Sequence, residues 1–309
     1  MRKFSQYLKI RFKDVAGCSF FYMFRWLERR LSRPAFYSIV KPIFLARATL
    51  NSAFKKTAFA SSRWPRFLRV PDPARAARRE RMNDYLNHIV EFFPERLAGE
   101  KWMKHCRIEG LGPLQLARQN GRPVILAYCH FGPYFLLRFW LRSAGVPVAT
   151  LVGWKSGHQA RVARLKYRFL PFPETPVLFY QDQLRALTDF IAAGNVVLIP
   201  VDSPSGKQIT VPFCDGWTFQ MATGAVRLAA NHQAELIPCS IINEGPWSFC
   251  IKLGRPAPRE FLATEAGWPR AAKHLLDEMR PAFQAFPEQC RTDLTRCLKP
   301  DAPEDQAFH

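Results

Sequence analysis

The chain has 309 residues, 48% of them hydrophobic, and a formal net charge of +20. That size allows one large domain with an appendage, or two small domains, around a substantial core. No uncharged run reaches the ~20 apolar residues of a membrane span, and the start, Met1 to Arg11, has no sustained apolar region before a small-residue cleavage site, so a signal peptide is not expected.

The charge is local. Residues 1–81 hold 20 Lys and Arg against four acids, which accounts for sixteen of the twenty net charges. The rest of the chain is close to neutral, so the charge belongs to the N-terminal segment and its partner. Large apolar residues are interleaved with the basic ones, as in Phe20 to Leu27 and Phe36 to Leu45. That mixture fits short helices on an anionic membrane surface better than an arm for nucleic acid, which is usually poorer in bulky aliphatics.

In chain order, residues 1–60 read as short basic amphipathic helices interrupted at Pro34 and Pro42, and 61–75, with three prolines, as a linker. Met82, Tyr85, Leu86, Ile89 and Phe93 recur at helical spacing within 76–104. A second amphipathic helix runs from Leu114 to Asn120 and ends at Gly121. From there strands and helices alternate. Strands are expected at Val124–Tyr128, Val146–Val152, Val177–Tyr180, Val196–Val201, Ala234–Ile242 and Ser248–Leu253. Helices are expected at Phe135–Ser143, Ser156–Phe169, Gln183–Ala193, Thr223–His232 and Ala271–Phe286. The pattern predicts an α/β fold, a mixed and largely parallel sheet flanked by helices. Its expected boundaries are 1–75 for the basic segment and linker, 76–300 for the α/β domain and 301–309 for a tail.

His130 stands where the strand Val124–Tyr128 breaks at Gly132 and Pro133, among Phe131, Tyr134 and Phe135. Open α/β sheets place ligands at such strand ends, and a neutral imidazole there can accept a proton from an attacking hydroxyl; a structural histidine is the plainer alternative. Asp202 ends the next clear strand and runs into Ser203 to Lys207, where it can orient His130, bind substrate, or merely cap a loop. Arg161, Arg164 and Arg168 share one helical face, as a contact for phosphate or an acidic carrier or as a solvated basic face. Cys129 precedes His130, but adjacent strand residues point apart, which argues against a Cys–His nucleophile. The eight cysteines form no Cys-x-x-Cys pair and read as reduced, mostly buried thiols. There is no P-loop, no Gly-x-Gly-x-x-Gly and no Gly-x-Ser-x-Gly.

One ordered set of blocks carries a resemblance. It runs from Val124 to Leu126 through His130-Phe131-Gly132-Pro133-Tyr134-Phe135, the basic stretch with Arg164 and Arg168, and Leu184 to Asp202. It continues with Val211 to Gly216, Thr223 to Ala229, Ile237-Pro238 and Phe286-Pro287-Glu288-Gln289. This set resembles the lipid A biosynthesis (late) acyltransferases, a branch of the lysophospholipid acyltransferase superfamily, over roughly 80–300. The resemblance implies an acyltransferase-like fold and transfer of a fatty acyl chain from an acyl carrier protein or coenzyme A thioester to a hydroxyl, or here an amine, of a lipid or small-molecule acceptor. It implies action at the cytoplasmic face of the inner membrane by a peripheral, monotopic protein, with His130 as general base and no metal or bound cofactor. Gly132, Tyr134, Phe135 and Lys207 join the three arginines as expected substrate contacts, with oxyanion donors among backbone N–H groups near Gly132 or Gly206. A nucleic-acid partner is not expected.

The departure lies at the motif acid. The family pattern is His-x4-acid, and the fifth residue after His130 is Phe135, which can neither accept a hydrogen bond nor stabilise an imidazolium. Three outcomes stay open. Another acid, Asp202 first, supports the histidine; a backbone carbonyl does so for a less demanding acceptor; or the protein is a catalytically silent lipid- or carrier-binding relative.

Overall fold

The computed structural model describes residues 18–19, 22–32, 35–43, 46, 106–152, 178–180, 183–203, 206–214, 216–245 and 248–300. The expected linker 61–75, the helices within 76–104 and 156–169, and the tail lie outside the described residues.

In chain order the described elements begin with helices α1 (22–30) and α2 (35–43). They continue with β1 (Cys106–Glu109), α3 (Leu111–Gln119), β2 (Val124–Tyr128), α4 (Leu137–Ser143), β3 (Val148–Val152), β4 (Leu178–Tyr180), α5 (Leu184–Ala192) and β5 (Val196–Pro200). Then follow β6 (Gln208–Cys214), β7 (Trp217–Ala222), α6 (Gly224–His232), β8 (Glu235–Gly245), β9 (Ser248–Leu253), α7 (Trp268–Ala285), α8 (Thr292–Cys297) and β10 (Leu298–Pro300).

Seven strands form one sheet in the order β1-β9-β8-β2-β5-β3-β4. β2 is parallel to both its neighbours, β5 and β8, and among the described strands of this sheet only the β8–β9 pair is antiparallel. The expected mixed, largely parallel α/β sheet is therefore the observed one. All five residues of β2 and the first four of β5 are buried, as a sheet covered on both faces requires. Alternate residues feed two cores. Ile125, Ala127, Val197 and Ile199 pack with α6 and α7 residues such as Val226, Leu275 and Phe283. Val124, Leu126 and Leu198 pack on the other face with Leu114, Trp140 and Phe249.

Two features differ from the expectation. A second, three-stranded antiparallel sheet, ordered β10-β7-β6, stands beside the first. The strand–helix reading passes over it because Pro212 interrupts the run of β6. Here β6 is an edge strand, the place where a sheet tolerates proline. The basic N-terminal segment is also more than an appendage. Phe24, Phe36 and Val40 are buried in the same cluster as Leu114 and Trp140, and the Phe24 and Phe36 rings meet edge to face at 6.3 Å. Tyr22, Met23, Trp26, Ile39 and Ile43 stay exposed on these two helices, so each helix carries apolar residues both inward and outward.

This division has a direct test. Phe36, 2% exposed, should cost about 3–5 kcal/mol when truncated to alanine, whereas Trp26→Ala, at a position 58% exposed, should leave the denaturant midpoint nearly unchanged. Equal midpoints for the two variants would show that α1 and α2 do not belong to the core.

Candidate active site

The site follows from strand register. In the parallel β2–β5 pair Tyr128 stands opposite Pro200. One more rung forms beyond the strand ends, where the Val201 N–H donates to the Tyr128 carbonyl at 2.8 Å. The next step along each chain brings His130 and Asp202 side by side. The His130 backbone N–H donates to Asp202 Oδ2 at 2.7 Å, and His130 Nδ1 lies 2.7 Å from Oδ1. One carboxylate thus holds one histidine at two points, across 72 residues of sequence.

Asp202 is fully buried, whereas 19% of the His130 side chain stays accessible. Burying a carboxylate is costly unless its oxygens are satisfied, and here each receives a hydrogen bond of the short, charge-assisted kind. An ionised carboxylate only accepts, so Nδ1 carries the proton, and Nε2 holds the lone pair. The orientation and tautomer of the imidazole are fixed by a group that does not come from its own loop.

Aromatic rings wall the histidine. The Tyr134 ring meets the imidazole edge-on at 4.5 Å, stacks on Tyr128 at 6.1 Å, and meets Phe135 at 5.7 Å. Burial holds the Tyr128 phenol well above its ordinary range, with the charges of Tyr134 and Asp202 adding to the effect, so it stays protonated near neutrality. Phe135 packs with Tyr134 against the cluster that contains Leu136 and Leu137. Position 135 is thus part of an apolar wall. Cys129 belongs to the opposite core face, and burial, with Asp202 nearby, pushes its thiol well above the ordinary range. It is not poised as a nucleophile.

The turn after His130 is held from the C-terminal side. The Gly132 N–H donates to the Gln289 carbonyl at 2.8 Å, and the Arg291 N–H donates to the His130 carbonyl at 3.0 Å. Phe131 and Cys290 form an antiparallel bridge between these bonds. The Gly132 amide, among the expected oxyanion donors, is therefore engaged within the fold. So are the His130 amide, on Asp202, and the Phe131 amide, on the Cys129 carbonyl, while Pro133 has none. Nothing in the local sequence around Arg291 announces this proximity. The Pro287-Glu288-Gln289 block is the one signal that pointed to the region.

The other expected contacts fall elsewhere. Arg161, Arg164 and Arg168 lie outside the described residues. Lys207 pairs with Glu265 at 3.3 Å, with its ammonium 6.0 Å from the Trp268 ring centroid; no described contact joins it to His130 or Asp202. Among the described residues no three His, Cys, Asp or Glu converge as a metal site.

Two substitutions probe this geometry. Gly132 sits at φ +54°, and a Cβ there would come 2.1 Å from the Ile241 carbonyl oxygen. Gly132→Ala should therefore destabilise by more than 2 kcal/mol, about the scale of such overpacking, measured by denaturant unfolding. Phe135→Glu restores the family's acid in sequence but should not raise acyl-transfer rate, because Nδ1 is already engaged. A rate gain would show that Asp202 is not the histidine's support.

Comparison with known proteins returns one family model and a weak structural likeness. The sequence matches the family model described as bacterial lipid A biosynthesis acyltransferase over residues 79–252, more than half of the chain. No curated protein sequence matches it. Among solved structures, the 1-acyl-sn-glycerophosphate (LPA) acyltransferase PlsC from Thermotoga maritima is similar at 14% identity and a TM-score of 0.41, over 82% of this chain and 98% of that one. The extent of the family match is what assigns the chain: it belongs to the bacterial lipid A biosynthesis acyltransferases.

Proposed function

We propose that the protein is a working acyltransferase in which Asp202, rather than an acid five residues after the histidine, supports His130 as general base. The observation that carries this reading is the two-point hydrogen bonding of His130 by the buried Asp202 carboxylate. Nε2 takes the proton of the acceptor hydroxyl or amine as its oxygen or nitrogen attacks the thioester carbonyl carbon. Asp202 stabilises the imidazolium so formed, as the buried aspartate does in a Ser-His-Asp triad. The tetrahedral intermediate then collapses, the C–S bond breaks, and the leaving thiolate takes the proton back from Nε2. The products are the acylated acceptor and the free thiol of the carrier, and the histidine returns to its neutral form.

The donor in this reading is an acyl carrier protein or acyl coenzyme A, and the acceptor is a lipid or a small molecule. Both fit a basic protein, since the first donor is acidic and the second carries phosphates. The silent-homologue alternative rested on Phe135 leaving His130 without a carboxylate, and the Asp202 contact supports the active reading against it.

We place the reaction at an anionic membrane surface. No helix among the described residues is long and apolar enough to cross a bilayer. The outward residues of α1 and α2, Tyr22, Met23, Trp26, Ile39 and Ile43, lie beside exposed Arg29, Arg30 and Lys41, a composition suited to the headgroup boundary. The cytoplasmic face of the inner membrane is the location this reading favours.

The deciding assay offers acyl carrier protein and coenzyme A thioesters with lipid acceptors. His130→Ala and Asp202→Asn should each lower kcat by about 10²–10⁴-fold, the second because asparagine turns a donor toward Nδ1–H and favours the other tautomer. Product formation by His130→Ala at the wild-type rate would end the general-base reading. In a parallel flotation test, the triple variant Tyr22→Ser, Trp26→Ser, Ile43→Ser should lose at least about tenfold in partitioning to phosphatidylglycerol vesicles. Unchanged partitioning would remove α1 and α2 from the membrane contact.

A further inference from the structure

The base reading leaves one requirement open. His130 lies beyond the end of β2, on a turn that contains a glycine at positive φ and a proline. Asp202 fixes one side of the imidazole and the backbone N–H of the same residue. The peptides that follow need a hold of their own, because an imidazole whose backbone swings by an ångström no longer points Nε2 at its acceptor. Misplacement on that scale costs about 10²-fold in rate.

The restraint comes from the segment Gln289–Arg291. We propose that Gln289 and Arg291 are positioning residues for acyl transfer, clamping the His130 turn at backbone groups that Asp202 does not reach. This inference rests on the His130–Asp202 reading above.

Gln289 works as a strut. Its side chain is 2% exposed. Oε1 accepts from the Asn243 N–H at 2.9 Å, and Nε2 donates to the Asn243 carbonyl at 2.8 Å. This pair of bonds mimics one more strand rung on β8, at the place where the β8–β9 register shifts. With its side chain locked to β8, the Gln289 carbonyl is fixed where it accepts the Gly132 N–H. The same Oε1 lies 3.0 Å from where a Gly132 Cβ would stand, so the strut also closes the space around that turn.

Arg291 supplies the second hold. Its N–H donates to the His130 carbonyl, and its guanidinium donates through Nη2 to the Gly132 carbonyl at 3.3 Å. The His130 and Gly132 carbonyls are thus both fixed by one residue. With Asp202 on the His130 amide, the peptide groups on both sides of His130 are held. A cation on the Gly132 carbonyl also strengthens that bond beyond a neutral one.

The test separates positioning from folding and from the base reading itself. Steady-state acyl transfer is measured on full-length wild type, Arg291→Met, Arg291→Lys, Gln289→Glu and His130→Ala, with thermal unfolding of each. In parallel, ¹H–¹⁵N spectra of histidine-labelled protein follow the Nδ1–H proton shared with Asp202, assigned by its loss in His130→Ala. Arg291→Met should lower kcat by about ten- to hundredfold with KM within twofold, broaden or shift the Nδ1–H resonance, and leave the melting temperature within a few degrees. Arg291→Lys should recover most of the rate. Gln289→Glu should perturb the same resonance, because its second oxygen faces the Asn243 carbonyl without a proton to offer. Wild-type kcat in Arg291→Met, or a lowered kcat with an unaltered Nδ1–H resonance, would overturn the proposal. If His130→Ala retains full activity, the base reading falls instead, whatever Arg291→Met does. Where Arg291→Met does not fold, Arg291→Gln, which keeps donors without charge, gives the same two readouts.

Discussion

Everything at the site depends on one parallel register, β2 against β5. The pairing sets Tyr128 opposite Pro200 and so carries His130 and Asp202 to the same height past the strand ends. Two neighbouring parallel strands point their C-terminal ends the same way, and side chains two residues beyond each end share one rim of the sheet. A slip of one residue would put Val201 beside His130 and direct Asp202 toward the opposite core face. The apolar packing that prevents such a slip, with all of β2 and nearly all of β5 buried, is therefore also what keeps the carboxylate on the imidazole. Here core packing and site geometry are one constraint.

That constraint explains how position 135 can be phenylalanine. The histidine needs one acceptor at Nδ1, and Asp202 fills that place completely, with its other oxygen on the backbone. A glutamate at 135 would put a negative charge into the apolar cluster that Phe135 packs against, at a cost. Phenylalanine there instead extends the aromatic wall formed by Tyr128 and Tyr134, which shields the imidazole edge from water and leaves part of its surface accessible for an acceptor.

Much of this was legible in the chain. Apolar runs of strand length, broken by Gly121, Gly194 and the Gly132-Pro133 turn, placed β2, β5 and the helices between them, since buried parallel strands read as continuous hydrophobic stretches. His130 and Asp202 stood out because each ends a buried strand, where open α/β sheets place ligands. Which carboxylate served the histidine was not legible, because register between strands 72 residues apart leaves no mark on local sequence. The β6–β7 hairpin was hidden by Pro212, and the inward face of α1 and α2 by the basic residues around Phe24 and Phe36. Gln289 lay in a recognisable block, Phe286-Pro287-Glu288-Gln289, but neither it nor Arg291 carried a mark of contact with the His130 turn. They act through main-chain bonds to Gly132 and His130 and side-chain bonds to Asn243 and Gly132, and only the tertiary fold aims either kind.

The bridge between Phe131 and Cys290 gives the site an unusual dependence on time. A histidine whose acid stood five residues away could assemble its pair as soon as one loop formed. Here the ribosome must complete β2, then β5, then the segment reaching Arg291 before the peptides on both sides of His130 are held, and such long-range closures are slow to form. A partly made or partly folded chain, already able to collapse around its first strands, holds an unfinished histidine. On the positioning proposed for Gln289 and Arg291, the full rate of acyl transfer waits until the segment through Arg291 has been made and docked.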